Sequence, residues 1–185
     1  DVPTLSMLAL AKLNDIWAGV AKDPATLIAE AHAMAMRAVS LDGADSSAHQ
    51  ALGVVLSMLG QSEQAMAEER RALELNPYDV AAAGELGRLL AFAGRTDEAL
   101  RMSERAIKAS PNNTHAFLWF RSKAIACFIA GRHADAAGFA ADACARRPDY
   151  FFLHFLRAAC HFAYGDAVQA RAVSIEGAAL MPRYT

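Results

Sequence analysis

Residues 46–79 read SSAHQALGVVLSMLGQSEQAMAEERRALELNPYD, and this stretch holds two apolar patterns with helical spacing. Gly60 separates the two patterns, and Asn76-Pro77 ends the second one. Proline stops a helix because it has no N–H to donate and disfavours helical geometry at the residue before it. The stretch therefore predicts a helix, a tight turn and a second helix.

The same residue types recur along the chain at a nearly fixed step. The pattern returns after 34 residues, again after 37, and again after 34. The four sets are Gly60, Ala65, Ala72 and Pro77; Gly94, Ala99, Ala106 and Pro111; Gly131, Ala136, Ala143 and Pro148; and Gly165, Ala170, Gly177 and Pro182. A backward step of 34 from Gly53, Ala65 and Ala72 gives Gly19, Ala31 and Ala38. The sequence predicts repeats of one helix–turn–helix unit.

The small residues indicate how the two helices of a unit pack. Ala65 and Ala72 lie seven residues apart, which is two turns on one helix face. Only a methyl group then separates the two helices at these points. Asp79 and Asp149 lie within two residues of the prolines that break the preceding helices, so we predict that each caps the N-terminus of the next helix.

A 34-residue helix–turn–helix with this pattern resembles the tetratricopeptide repeat. The resemblance covers nearly the whole chain and is strongest at RALELNP and RAIKASP, which close the second and third units. It implies an all-α fold, a right-handed α–α superhelical solenoid of about five units, in one domain over residues 1–185. The predicted units are residues 12–45, 46–79, 80–113, 117–150 and 151–184.

The C-terminal units resemble a variant of this repeat from bacterial multidomain signalling proteins. In those proteins the repeats are joined to an adenylate or guanylate cyclase domain or to a winged-helix DNA-binding domain. The resemblance is carried by Ser110-Pro111, Phe117, Trp119, Ala130-Gly131-Arg132, Arg147-Pro148-Asp149-Tyr150 and Pro182. It places no cyclase or DNA-binding activity in these residues. Because the chain starts at Asp1 without a methionine, we expect an excerpt of a longer multidomain protein.

Composition predicts a soluble, cytoplasmic repeat module. The chain is 55% hydrophobic and 21% charged, which suits a large helical core, and its formal net charge of -2 gives no bulk attraction to nucleic acid or anionic membrane. Charged residues or glycines interrupt every long apolar run, so we expect neither a membrane span nor a signal peptide. Cys127, Cys144 and Cys160 show no CxxC spacing, and we predict small core residues in a reducing compartment.

Motifs for catalysis or metal binding are missing. The sequence has no GxSxG elbow, no HExxH and no glycine-rich phosphate loop. We interpret His154 and His161 as surface or groove-lining side chains, since no carboxylate or thiol completes a metal site on their shared helix face. The acidic pairs Glu68-Glu69 and Asp97-Glu98 are interpreted as solvated, or as first-turn residues that favour the helix dipole. We predict a non-enzyme without cofactor, metal or catalytic residues.

Binding remains as the predicted function. In a tetratricopeptide solenoid the first helices of successive units line a concave groove. The projected groove positions are Gln50, Val54, Arg88, Phe92, Leu118, Arg121, Ile125, Phe128, Phe152, Phe155 and Phe162. Arg88 and Arg121 are the groove cations and lack accompanying asparagines, which argues against a clamp for a C-terminal carboxylate. The apolar C-terminal half favours an apolar helix or an extended peptide as the partner, and nothing predicts nucleic acid or membrane binding.

Two alternatives stay open at this point. Aromatic residues at helical spacing also pack repeat against repeat, so the groove aromatics could instead be core. The groove could also hold a flanking segment of the chain or a second copy in a homodimer. The function is accordingly either a protein-interaction scaffold or a regulatory, dimerisation or effector-sensing module of a bacterial signalling protein.

Overall fold

The structure, a computed structural model, describes residues 1–17 and 19–181. Ten helices account for all regular secondary structure in these residues, which confirms the predicted all-α class. The helices are α1 (Val2–Trp17), α2 (Pro24–Leu41), α3 (Ser46–Met58), α4 (Ser62–Leu75), α5 (Val80–Phe92), α6 (Thr96–Ala109), α7 (Ala116–Ile129), α8 (His133–Arg146), α9 (Phe151–Tyr164) and α10 (Ala167–Leu180). The closing proline predicted at position 182 lies outside the described residues, as does the end of the predicted fifth unit.

The chain divides into two compact units. The first comprises residues 1–89, in which α3 packs against α1, α2 and α4. The second begins at Leu90, and in it α7 packs against α6 and α8 while α9 packs against α8 and α10. Each unit therefore buries its own apolar helix faces, as expected for stacked helical hairpins.

A glycine in the left-handed region ends the first helix of each hairpin. Gly60 and Gly131 have φ values of 75° and 74°. The turn after α3 is closed by a hydrogen bond from the Gln61 amide to the Leu56 carbonyl at 2.9 Å. Glycine is favoured there because it adopts positive φ without steric cost. The recurring glycine in the sequence marks these turns.

The N-cap predictions have mixed outcomes. Asp79 is confirmed as a cap of α5, since its Oδ1 accepts a hydrogen bond from the Ala82 amide at 3.0 Å. The prediction for Asp149 is wrong: α9 begins at Phe151, and its N-cap residue Tyr150 makes no side-chain capping bond. Asp149 Oδ1 instead accepts a hydrogen bond from Arg147 Nε at 2.7 Å. The carboxylate therefore pairs with this guanidinium and does not cap α9.

Small residues fill the helix–helix contacts as predicted. Ala65 and Ala72 are fully buried where α4 packs on α3. In the second unit, fully buried Cys127 and Cys160 lie in one cluster with Ala124, Ala136 and Ala140. Burial, with a smaller contribution from Cys127, raises the pKa of the Cys160 thiol to about 11. The cysteines are therefore small core side chains that stay protonated at neutral pH.

The hydropathy of the helices bears on membrane insertion. Within residues 1–17 and 19–181, every helix is too short or too polar to cross a bilayer.

Candidate functional site

The predicted groove positions of the first unit offer little free surface. Gln50 and Val54 are buried within α3. Arg88 is half-buried and donates from Nε to Glu85 Oε2 at 2.9 Å and from Nη2 to Ser57 Oγ at 3.0 Å. The hydrogen bond to the Glu85 carboxylate raises the pKa of Arg88 above its ordinary value. The predicted groove cation thus belongs to an intramolecular polar network.

Glu69 occupies the core of the first unit, which contradicts its interpretation as a solvated acid. It is 0% exposed, and neither carboxyl oxygen has a hydrogen-bond partner among the described residues. It lies four residues after Ala65 and three before Ala72, on the face of α4 that packs against α3. Burial raises the pKa of this carboxyl well above the ordinary glutamate range, with further contributions from nearby carboxylates. Burial therefore favours the neutral form of Glu69.

Gly53 makes room for the Glu69 side chain. A Cβ atom added at Gly53 would lie 2.5 Å from Glu69 Oε1 and 2.8 Å from Glu69 Cδ. Real Cβ atoms do not approach other heavy atoms this closely. The carboxyl group therefore occupies the space that an alanine at position 53 would need.

We expect Gly53→Ala to destabilise the protein by about 1–3 kcal/mol, because the added methyl overlaps the buried carboxyl group. In a Glu69→Ala background the overlap is gone, and the higher helix propensity of alanine should make Gly53→Ala neutral or stabilising by up to about 1 kcal/mol. Urea denaturation of the four proteins in this cycle measures the coupling. Equal costs in both backgrounds would contradict the contact.

Glu68, the neighbour of Glu69, is not free in solvent either. Its Oε2 lies 2.6 Å from His49 Nδ1, and His49 Nε2 lies 3.1 Å from the Gly43 carbonyl oxygen. The two ring nitrogens thus lie beside two acceptors, the Glu68 carboxylate and the Gly43 carbonyl. His49 thereby connects the turn before α3 to α4.

His154 holds the corresponding turn in the second unit. Its Nε2 lies 2.9 Å from the Pro148 carbonyl oxygen, and its Nδ1 lies 3.6 Å from Glu176 Oε2. His154 is buried, so its interpretation as a surface or groove-lining residue is wrong. His161 is half-buried, with Nδ1 3.9 Å from Asp166 Oδ2. The described residues contain no group of three His, Cys, Asp or Glu side chains arranged to hold a metal ion.

The aromatic groove candidates of the second unit differ in exposure. Phe92, Phe152 and Phe162 are 59%, 45% and 73% exposed. Ile125 is buried, and Leu118, Arg121, Phe128 and Phe155 are half-buried. The predicted set is thus split between surface and core.

Contacts explain the half-buried members. Phe128 packs on the cluster that contains Cys160, and its ring centroid lies 5.4 Å from that of His133. Phe155 stacks edge-on against Phe151 at 6.2 Å, and its Cε1 would lie 3.5 Å from a Cβ at Gly177. The two phenylalanines are therefore partly buried against residues of α8, α9 and α10.

Helix α9 carries three of the exposed aromatic residues of the chain. Tyr164 is exposed together with Phe152 and Phe162, and we call these three residues the α9 aromatic set. The Phe152 ring centroid lies 6.1 Å from that of Tyr150. The sequence projection included Phe152 and Phe162 but omitted Tyr164. Tyr164 lies two residues after Phe162, at the end of the same helix.

A shallow cleft adjoins the C-terminal end of α9. It has a volume of about 350 Å³ and is lined by the turn before α8, by Arg132, His133 and Asp135, and by Tyr164. The Arg132 guanidinium is paired with Asp135 at 2.8 Å. The cleft therefore has a neutralised charge pair on one side and an aromatic ring on the other.

Comparisons with known proteins agree with the fold. The sequence profile of the tetratricopeptide repeat matches residues 46–79 and 80–113, the bounds predicted for the second and third units. No curated protein sequence matches the chain. Several solved structures are similar. The pilF structure from Pseudomonas aeruginosa is 16% identical, with 98% of this chain and 79% of that chain covered and a TM-score of 0.78.

Two further structures give the same result. MamA from Desulfovibrio magneticus RS-1, from residue 41 to its end, is 16% identical. The match covers 95% of this chain and 94% of that chain, with a TM-score of 0.72. A tetratricopeptide repeat protein from Parabacteroides merdae is 18% identical. The match covers 91% of this chain and 62% of that chain, with a TM-score of 0.68. At these identities the likeness concerns the fold alone. Residues 46–79 and 80–113 therefore match the tetratricopeptide repeat, and the all-helical fold of the chain is similar to these structures.

Proposed function

We propose that this chain is a non-catalytic scaffold that binds a peptide or a partner domain through the α9 aromatic set. The occurrence of three exposed aromatic residues on one helix supports this proposal most strongly, and Phe162 among them is 73% exposed. Exposed aromatic side chains carry much of the binding free energy in protein interfaces because they bury a large area at small entropic cost. The bound partner is an apolar helix or an extended peptide, in the cytoplasm of a bacterium.

We assign this surface to fewer residues than the sequence projection did. Phe152 and Phe162 provide the exposed contact area, whereas the half-buried Leu118 and Phe128 pack against the core clusters of the second unit. Gln50, Val54 and Ile125 are buried, so we no longer include them. Arg88 is also left out, because it is held by Glu85 and Ser57.

The second candidate is a regulatory module of a bacterial signalling protein. The repeats would then dimerise or bind an effector, and so control an attached cyclase or transcriptional regulator domain. This alternative is favoured by the C-terminal sequence features, such as Arg147-Pro148-Asp149-Tyr150, that resemble such modules. The same aromatic surface would serve as the dimer interface.

We expect the double variant Phe152→Ser/Phe162→Ser to lose partner binding while its melting temperature stays within a few degrees of the wild type, because both side chains already face solvent. Affinity capture from native lysate with mass spectrometry measures binding. Tyr78→Ser is the matched control, since Tyr78 is 85% exposed in the first unit.

The outcomes separate the two candidates. A protein retained by the wild type and by Tyr78→Ser, but not by the double variant, supports the scaffold. Size-exclusion elution of the wild type as a dimer and of the double variant as a monomer supports the dimerisation module. The same proteins retained by all three, with no change in oligomeric state, would contradict both.

A further inference from the structure

The buried carboxyl group of Glu69 has no role in the proposed binding surface. It lies in the α3–α4 hairpin of the first unit, with 0% exposure, and the described residues supply no hydrogen bond to either oxygen. Native structures rarely leave such a group without a donor, because each unpaired buried polar atom is costly. The neutral acid tolerates this environment far better than its ion does.

Ionisable groups from several elements act electrostatically on this carboxyl. Glu68 of the same helix, Asp79 of the α4–α5 turn and Glu85 of α5 all disfavour its ionisation, while Arg88 of α5 favours it. Glu68 is bound to His49 of α3, and Asp79 caps α5. Arg88 is thus the single cation among the charged groups of the described residues that act on Glu69 in this way.

Arg88 is already bound by a competing carboxylate. Its guanidinium contacts both carboxyl oxygens of Glu85 and also Ser57 Oγ. The Glu85 side chain keeps 17% of its surface exposed and that of Arg88 keeps 29%. Glu85 can therefore be hydrated when it loses the guanidinium, whereas an ionised Glu69 cannot be.

We propose that Glu69 is a proton-controlled switch in the first unit. When protonated, it fills the space beside Gly53 and leaves Arg88 on Glu85. When ionised, Glu69 pairs with Arg88, and Glu85 loses that partner. A fully buried carboxylate is stabilised more by a charged hydrogen-bonding partner than a partly hydrated carboxylate is. Loss of the proton therefore removes the guanidinium from the Glu85 carboxylate, to which the Ser57 hydroxyl still donates at 3.1 Å.

The exchange can be followed by NMR on the full chain. Glutamate side-chain carbonyl carbons report ionisation, and the Arg88 Nε–Hε signal reports its partner. We expect the Glu69 carbon to titrate well above the range of the other glutamates, and the Arg88 signal to move with the same midpoint. In Glu69→Gln the Arg88 signal should show no transition at that midpoint.

A second variant tests the competition between the two carboxylates. Glu85→Gln removes the competing charge, so the midpoint of the Glu69 carbon should move to lower pH. Titration of Glu69 in the range of ordinary glutamates would overturn the switch. An Arg88 signal that does not change at the Glu69 midpoint would also overturn it. Cooperative unfolding of the wild type at that midpoint would also overturn it, because the carboxylate would then have no folded partner.

Discussion

Leu153→Ala is expected to lower the free energy of unfolding by about 2–5 kcal/mol, the usual cost of a fully buried leucine. Leu153 is 0% exposed and lies in a cluster with Phe117, Phe120, Ala143 and Cys144. The substitution removes its transfer free energy and leaves a cavity between three helices. The aromatic rings of Phe117 and Phe120 are held by cation–π contacts with Arg147 and Arg146, which limits their collapse into that cavity.

The chain offers a control of the same chemistry. Leu180 lies at the end of α10 and is 39% exposed, so Leu180→Ala removes the same atoms at a site that water already reaches. We expect it to cost less than Leu153→Ala, because 39% of the residue is already exposed and water can enter the space left behind. Urea denaturation followed by circular dichroism compares the two variants. Similar losses of stability would contradict the placement of Leu153 in the core.

The helices could be predicted from the sequence because their signals are local. The apolar spacing, the turn glycines and the prolines each act within one hairpin, and the profile match at residues 46–79 and 80–113 has the predicted bounds. The buried faces of the second helices were also predictable. Ala65 and Ala72 mark such a face at a spacing of seven residues.

The groove could not be predicted as well because burial of a first helix depends on every element around it. A helical projection places Gln50 and Val54 outward. However, α3 packs against α1, α2 and α4, so all residues from Ala48 to Leu56 are buried. The contact of α1 with α3 involves residues far apart in the chain, which a projection of single hairpins does not contain.

The sequence contains a signal for the burial of Glu69, but the charged residues around it indicate a polar face instead. Its neighbours Glu68, Arg70 and Arg71 suggest a polar face. The register between Ala65 and Ala72 instead places Glu69 on the packing face, beside the one residue type, glycine at position 53, that leaves room for it. Helical register therefore decided its environment, and local charge did not.

Glu69→Gln is expected to make the protein more stable than the wild type at neutral pH, by an amount that grows with pH. Burial raises the pKa of Glu69 in the folded state, so the folded protein keeps a proton that the unfolded chain releases. The contribution of Glu69 to stability is therefore fully present below the ordinary glutamate pKa of about 4.3 and is lost as pH rises towards the folded value. The loss is at most about 1.4 kcal/mol per pH unit, the value for one proton.

The difference between the two proteins isolates this effect. Glutamine keeps the size and the unpaired polar atoms of the protonated acid but cannot ionise, so the difference between the two pH profiles reports the ionisation of Glu69. Urea unfolding of both proteins from pH 4 to pH 8 gives the difference directly. A difference that does not change over this interval would show that Glu69 has the same proton affinity folded and unfolded. Because a solvated glutamate gives a constant difference, the slope distinguishes the buried position on α4 from an exposed one.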